Sequence, residues 1–245
     1  MKLNGVEMDK QVLEDMFTKM ASVQGTVEVK EKFEEEQDKK FSFELKNCNN
    51  QAEIPARYGQ CLFSDYDYGE LGIKIQRFAM NPEDQFLLLC GPTGVGKTSL
   101  MCASLHERAL KDLPAGFYFN NRFLAPKLRT CRSFSARENE EAFLRRLSKV
   151  PFLCIDEVGT CPSFKEEAEF MTTLICARYD EKLPTFISTN LSGINFAFLI
   201  CGIENPPRER EEQQKLVDHL KATNATLNRF YNNSIRTSLT TESHR

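Results

Sequence analysis

Gly91-Pro92-Thr93-Gly94-Val95-Gly96-Lys97-Thr98 matches the spacing G-x-x-x-x-G-K-[ST] in full. The residue types in it suit the binding of a polyphosphate. The glycines let the main chain turn tightly, so that several N–H groups point inward at phosphate oxygens. Lys97 supplies a point cation for the β- and γ-phosphates, and the Thr98 hydroxyl is a ligand for Mg²⁺. Phe86–Cys90, just before the loop, is an unbroken apolar run that reads as a buried strand of a parallel sheet. Ser99–Leu110, just after it, suits a helix whose N-terminus adds partial positive charge at the same spot. Strand, glycine-rich loop and helix together assign nucleotide binding to residues 91–99.

A second group of polar residues lies downstream. Pro151–Asp156 is an apolar strand that ends in Asp156-Glu157. Asp156 is expected to hold Mg²⁺ through its water shell, and Glu157 to polarise the water that attacks the γ-phosphate. Pro184–Ser188 reads as a further strand, followed by Thr189-Asn190. Asn190, at the tip of the strand beside the acid pair, is placed to sense the γ-phosphate or orient water. Taken alone it could equally cap the helix that follows.

Residues 121–149 hold Arg122, Lys127, Arg129, Arg132, Arg137, Arg145, Arg146 and Lys149 against Glu138, Glu140 and Glu141, a local charge of +5 in a chain whose net charge is −3. Two readings fit. In one, Arg122, Lys127, Arg129 and Arg132 contact the phosphate backbone of single-stranded DNA. In the other, Phe123, Leu124 and Leu128 form the apolar stripe of one helix and Phe143, Leu144 and Leu147 that of a second, with the cations on solvated faces.

The elements that position these groups are those of one good core, which 245 residues can bury with a small appendage. Gly69–Met80 is expected to be a helix, Gly116–Asn120 a second strand and Ser234–Thr240 a fifth. Ser163–Leu183 is expected to be a long helix, with Ser163 and Glu166 in a capping-box pattern. Glu204–Ala222 reads as a charged insertion followed by a helix. Residues 1–50 form a charged arm with one apolar stripe (Val12, Leu13, Met16, Phe17, Met20) and too few apolar groups for a core of its own. Such an arm either packs on the main domain or docks a partner protein, of which the second is its expected use, and residues 51–245 are the expected ATPase domain. Nine cysteines with no C-x-x-C pair argue against a disulfide framework or zinc site and point to reducing cytoplasm. No stretch is apolar enough to span a membrane.

In combination these pieces resemble the DnaC/DnaI-like helicase loaders of the AAA+ ATPases and their relatives, the IstB transposition helpers. The resemblance covers roughly residues 52–245. It rests on Ile54-Pro55-Ala56-Arg57-Tyr58 with Phe63 and Tyr66, on GPTGVGKT, on FLCIDEVG at Phe152–Gly159, on Arg178-Tyr179 and PTFISTNLS, and on the tail LNRFYNNSIRTSLTTESHR. It implies an α/β fold of the additional-strand, AAA+ type: a parallel sheet sandwiched by helices, preceded by a small mainly helical arm, without a full C-terminal lid. It implies a Mg²⁺-dependent ATPase with ATP as cofactor, Asn190 as sensor, and Arg229 as an arginine finger that reaches a neighbouring subunit in a ring or spiral. The segment between Asn190 and Arg229 is longer than is usual in the family, which makes Arg236 the second candidate. Tyr58 would lie against the adenine base. The implied partners are a replicative DnaB-type helicase and single-stranded DNA. The alternatives are an IstB-like transposition helper, which would favour duplex DNA, and a nucleotide-gated adaptor that scarcely hydrolyses. A small-molecule P-loop kinase fits less well, since such kinases usually lack the Asp156-Glu157 pair with Asn190.

Overall fold

The computed structural model describes residues 2–3, 6–7, 41–66, 68–82, 85–134 and 136–239. The chain divides into two units, Met1–Glu44 and Leu45–Arg245. In the first, Lys2–Leu3 pairs antiparallel with Val6–Glu7, and residues 41–44 are helical. The apolar stripe expected at Val12–Met20 lies outside the described residues.

The second unit is built on five parallel strands: β1 (Phe86–Cys90), β2 (Gly116–Asn120), β3 (Phe152–Val158), β4 (Thr185–Thr189) and β5 (Ser234–Ser238). Their order across the sheet is β2-β3-β4-β1-β5. β1 is flanked on both sides, and Phe86, Leu87, Leu88 and Leu89 are each at most 1% exposed, which is why the run carries no polar residue. Side chains alternate between two cores. Phe86, Leu88, Leu153, Ile155 and Ile187 face one; Leu87, Leu89, Phe152, Cys154 and Phe186 face the other.

Helices cover both faces. α1 (Gly69–Met80) and α2 (Lys97–Leu110) supply Ile75, Phe78, Leu100 and Met101 to one core. On the opposite face lie α3 (Leu124–Cys131), α4 (Glu140–Lys149), α5 (Phe164–Asp180), α6 (Gly193–Ile200), α7 (Arg210–Thr223) and α8 (Ala225–Asn232). Ser163 caps α5 as expected, accepting from the Glu166 N–H at 3.4 Å, but the Glu166 side chain is engaged with Arg132 at 2.5 Å. Phe123 departs from its expected place. Leu124 and Leu128 are buried, whereas Phe123 is 60% exposed, because it closes the 3-10 turn Asn121–Phe123 before α3 begins.

Phe230 of α8 packs between Phe86 and Phe196, with ring centroids 5.1 and 5.3 Å away, and so seats the start of β5 beside β1. The residues before the sheet are pinned to α2: the ring of buried His106 contacts Cys61 O and Asn49 Oδ1, each at 2.7 Å. All nine thiols are free. Among the described residues no helix is long and apolar enough to cross a membrane.

Candidate active site

The chain leaves β1 at Cys90, crosses residues 91–96, and enters α2 at Lys97. Gly96, the N-cap of α2, has φ 89° and ψ 11°, a left-handed conformation that side chains oppose. No side chain caps this helix, so its N-terminal field faces the loop. The site lies at the C-terminal ends of the strands, beside the point where the strand order turns back between β4 and β1.

Lys97 is only 7% exposed. Its Nζ donates to Gly91 O at 2.8 Å, Pro92 O at 2.7 Å and Asn190 Oδ1 at 2.8 Å. Burial lowers its pKa, while Asp156 and Glu157 act in the opposite sense. Asn190 thus spans from β4 to the loop, and its Nδ2 also reaches Thr93 Oγ1 at 3.4 Å. It does not cap α6. Ser192 does, accepting from the Asn195 N–H at 3.2 Å. Ser99 sits in the first turn of α2, near the Tyr66 hydroxyl, which meets Cys61 Sγ at 3.8 Å.

Asp156 is the hub of the site. Buried to 1% exposure, it accepts from Thr98 Oγ1 at 2.7 Å, from the Tyr118 hydroxyl at 2.8 Å, and from Ser188 Oγ. A hydroxyl and a carboxylate 2.7 Å apart, beside a buried lysine, form a hard oxygen donor pair. That chemistry fits a small divalent cation such as Mg²⁺.

Glu157 follows at a β-bulge. Ile155 pairs with Ile187 and Val158 with Thr189, so Asp156 and Glu157 together stand opposite the single residue Ser188. Glu157 has φ 58°, a left-handed conformation that costs a non-glycine residue on the order of 1–3 kcal/mol. Its main-chain N–H donates to Asp156 Oδ1 at 3.0 Å and Ser188 Oγ at 3.1 Å, which holds the bulge. Its carboxylate is engaged as well. Asn120 Nδ2 donates to Oε2 and Arg122 Nη2 to Oε1, both at 3.1 Å.

Lys97, Thr98, Asp156, Glu157 and Asn190 therefore meet at one end of the sheet. Arg229 does not join them. It lies on α8, which leads into the N-terminal end of β5, where Asn233 O accepts from the N–H groups of Gln85 and Phe86. That is the opposite end of the sheet from residues 91–96. There Arg229 pairs with Asp180 at 3.7 Å and lies 5.1 Å over the Tyr179 ring. Arg236, opposite Leu88 in the middle of β5, lies 4.3 Å over the Tyr231 ring. Tyr58 ends a short 3-10 turn and packs against the α1–α2 core.

The basic window is largely matched by carboxylates at short range. Arg122 meets Glu157, Lys127 meets Glu138 at 2.8 Å, and Arg132 meets Glu140 and Glu166. Arg145, Arg146 and Lys149 pair with Glu141, Glu138 and Glu181. Arg129 is exposed, within electrostatic reach of Glu166. Counting charge along 121–149 missed Glu157, Glu166 and Glu181, which the fold brings in from outside the window. Sequence reasoning also passed over Asn120, Tyr118 and Ser188. Asn120 had a signal: like Asn190 it is a polar residue at the tip of a strand beside the one ending in Asp156-Glu157, and it stands in register with Asp156.

A family model described as IstB-like ATP binding protein matches residues 19–197. An ATP-binding protein of insertion sequence IS232 from Bacillus thuringiensis subsp. berliner is 30% identical over 110 residues, 45% of this chain. The match spans 42% of the length of that curated relative. Among solved structures, the DnaC helicase loader superposes with a TM-score of 0.55 at 21% identity, covering 76% of this chain and 99% of that one. DnaI gives 0.53 at 21% identity over 78% and 94%. AMPPCP-bound DnaA from Aquifex aeolicus gives 0.53 at 13% identity over 76% and 51%. At these identities the likeness is one of fold: the parallel sheet sandwiched by helices, of the additional-strand AAA+ type, that the sequence led us to expect.

Proposed function

This chain belongs to the IstB-like ATP-binding protein family, and from that premise we propose that it binds and hydrolyses Mg²⁺-ATP and couples the cycle to DNA. The observation that carries this reading is the meeting of Lys97, Thr98, Asp156, Glu157 and Asn190 around one loop. Lys97 gives up the carbonyls of Gly91 and Pro92 for phosphate oxygens, and the N-terminus of α2 receives the same phosphates. Thr98 and Asp156 are the residues that would hold Mg²⁺, which when bound places positive charge beside the β- and γ-phosphates. Asn190 reports on the terminal phosphate through its bond to Lys97. Glu157 polarises the attacking water once Asn120 and Arg122 yield its carboxylate.

Arg229, remote from the loop of its own chain, acts on a neighbour's nucleotide, which makes self-association into a ring or spiral part of the proposal. Arg122, Lys127, Arg129 and Arg132 contact single-stranded DNA, whose phosphates compete with Glu138, Glu140, Glu157 and Glu166 for these cations. In this reading the protein is a cytoplasmic helicase loader whose N-terminal residues 1–50 dock a DnaB-type replicative helicase. Its support is the likeness in fold to the DnaC helicase loader and DnaI over nearly the whole of those chains.

A transposition helper is the second reading, favoured by the family match and by the relative from an insertion sequence. ATP turnover measured alone, with single-stranded DNA and with duplex DNA separates the two. Stimulation by single strands supports the loader, and stimulation by duplex supports the transposition helper. No response to either would leave a nucleotide-gated adaptor and remove DNA from the proposal.

A further inference from the structure

Glu167 is a carboxylate buried to 1% exposure that none of the chemistry above uses. It lies near the start of α5. Its Oε1 accepts from the main-chain N–H of Gly159 at 2.6 Å and from Nδ2 of Asn121, which is itself fully buried. Among the described residues its partners are N–H groups and no cation, and burial raises its pKa to about 7. A buried acid without a counter-charge costs stability, so packing alone gives no reason for it.

The placement of its partners does give a reason. Gly159 lies two residues beyond Glu157, held at φ +93° with Leu191 2.6 Å from where a Cβ would stand, so the chain has one path there. Asn121 lies between Asn120 and Arg122, the two residues whose side chains hold the Glu157 carboxylate. A single buried oxygen on a third element therefore joins the main chain two residues beyond Glu157 to the side chain of the residue between its two donors. We propose that Glu167 is a positioning residue that fixes the chain beside Glu157 and beside its two donors, and so sets where the Glu157 carboxylate stands over the loop when Asn120 and Arg122 release it, a role that rests on the hydrolysis reading above. Glutamine retains an acceptor oxygen for Gly159 and Asn121, whereas alanine retains none.

Glu167→Ala and Glu167→Gln in the full chain test this by two independent measurements. In amide hydrogen exchange, Glu167→Ala is expected to lose protection together at Gly159 and at Leu124, whose N–H donates to Asn121 O. Leu100 in α2, bonded to Gly96 O, keeps its protection. In ATP turnover, kcat falls by up to about 100-fold, the loss that a displaced catalytic group brings. The KM for ATP stays within about two-fold, and Glu167→Gln recovers most of kcat. Lost protection at Gly159 with Leu124 unchanged would overturn the clamp. So would a loss spread over α2 with kcat and KM moving together, because that describes a general weakening of the fold. A wild-type chain that binds ATP without turnover would defeat the hydrolysis reading, and the exchange measurement would still judge the clamp.

Discussion

Arg122 Nη2 stands 3.1 Å from Glu157 Oε1, and this joins a cation of the basic window to the acid beside the P-loop. Both side chains are partly open to solvent, Arg122 at 61% and Glu157 at 25%. A polyanion arriving at the window therefore has access to the arginine without first displacing the fold.

Arg122→Ala is expected to raise turnover in the absence of DNA and to lower the ratio by which DNA stimulates it. The rise is no more than about five-fold, since an exposed ion pair is worth at most about 1 kcal/mol. ATPase assays with and without single-stranded DNA at fixed salt measure both quantities. An unchanged ratio would separate Glu157 from the DNA response.

Arg229→Ala is expected to bind nucleotide normally and to lose turnover. The binding loop lies at the other end of the sheet, and the pair lost with Asp180 is long and exposed. Lys97→Ala, by contrast, loses nucleotide binding. Subunits of the two variants mixed together regain turnover if the arginine of one chain serves the nucleotide of another. Full activity of Arg229→Ala on its own would move the role to Arg236.

The buried Glu167 predicts a pH dependence of stability. Its pKa rises from 4.5 to about 7 on folding, so between those values the folded chain keeps a proton that the unfolded chain has lost. Stability from this site is full at low pH, falls as pH rises, and levels off above about 7, a total on the order of 3 kcal/mol. Glu167→Gln removes the dependence. Urea unfolding at about pH 5 and about pH 8 should show the variant gaining on wild type at the higher value. A constant difference would mean that the carboxyl does not titrate in this range.

Arg178 is a structural counterpart. Fully buried, it donates to Thr185 Oγ1 at 2.6 Å, Leu147 O at 2.7 Å, Val150 O at 2.9 Å and Pro184 O at 2.6 Å. It ties the ends of α4 and α5 to the start of β4. Arg178→Ala leaves these acceptors unpaired and is expected to cost about 3 kcal/mol or more. A lysine, unable to spread its donors in a planar fork, recovers less than half. Denaturant midpoints of the two variants check the order.

What the sequence made legible is what depends on neighbours along the chain. The P-loop, its strand and helix, the apolar run into Asp156-Glu157 and the bounds of α1 follow from residue type and spacing within short windows. The environment of Glu157 was hidden because it depends on β2 lying beside β3 with Asn120 opposite Asp156. Glu167 was hidden for a similar reason. In the run Lys165-Glu166-Glu167-Ala168-Glu169 it reads as one more solvated acid, and only the turn of α5 sends it inward while Glu166 and Glu169 stay nearer the surface.

β1 pairs only with distant segments: Phe86 stands opposite Thr185 on one side and Ser234 on the other. On a chain made from its N-terminus, Phe86-Leu87-Leu88-Leu89-Cys90 emerges with both of its sheet neighbours still unsynthesised. Until β4 and β5 follow, an apolar β-prone run has open edges, the condition under which nascent chains stick to one another. The pairing on both sides that buries β1 in the finished sheet thus leaves it with two open edges during synthesis.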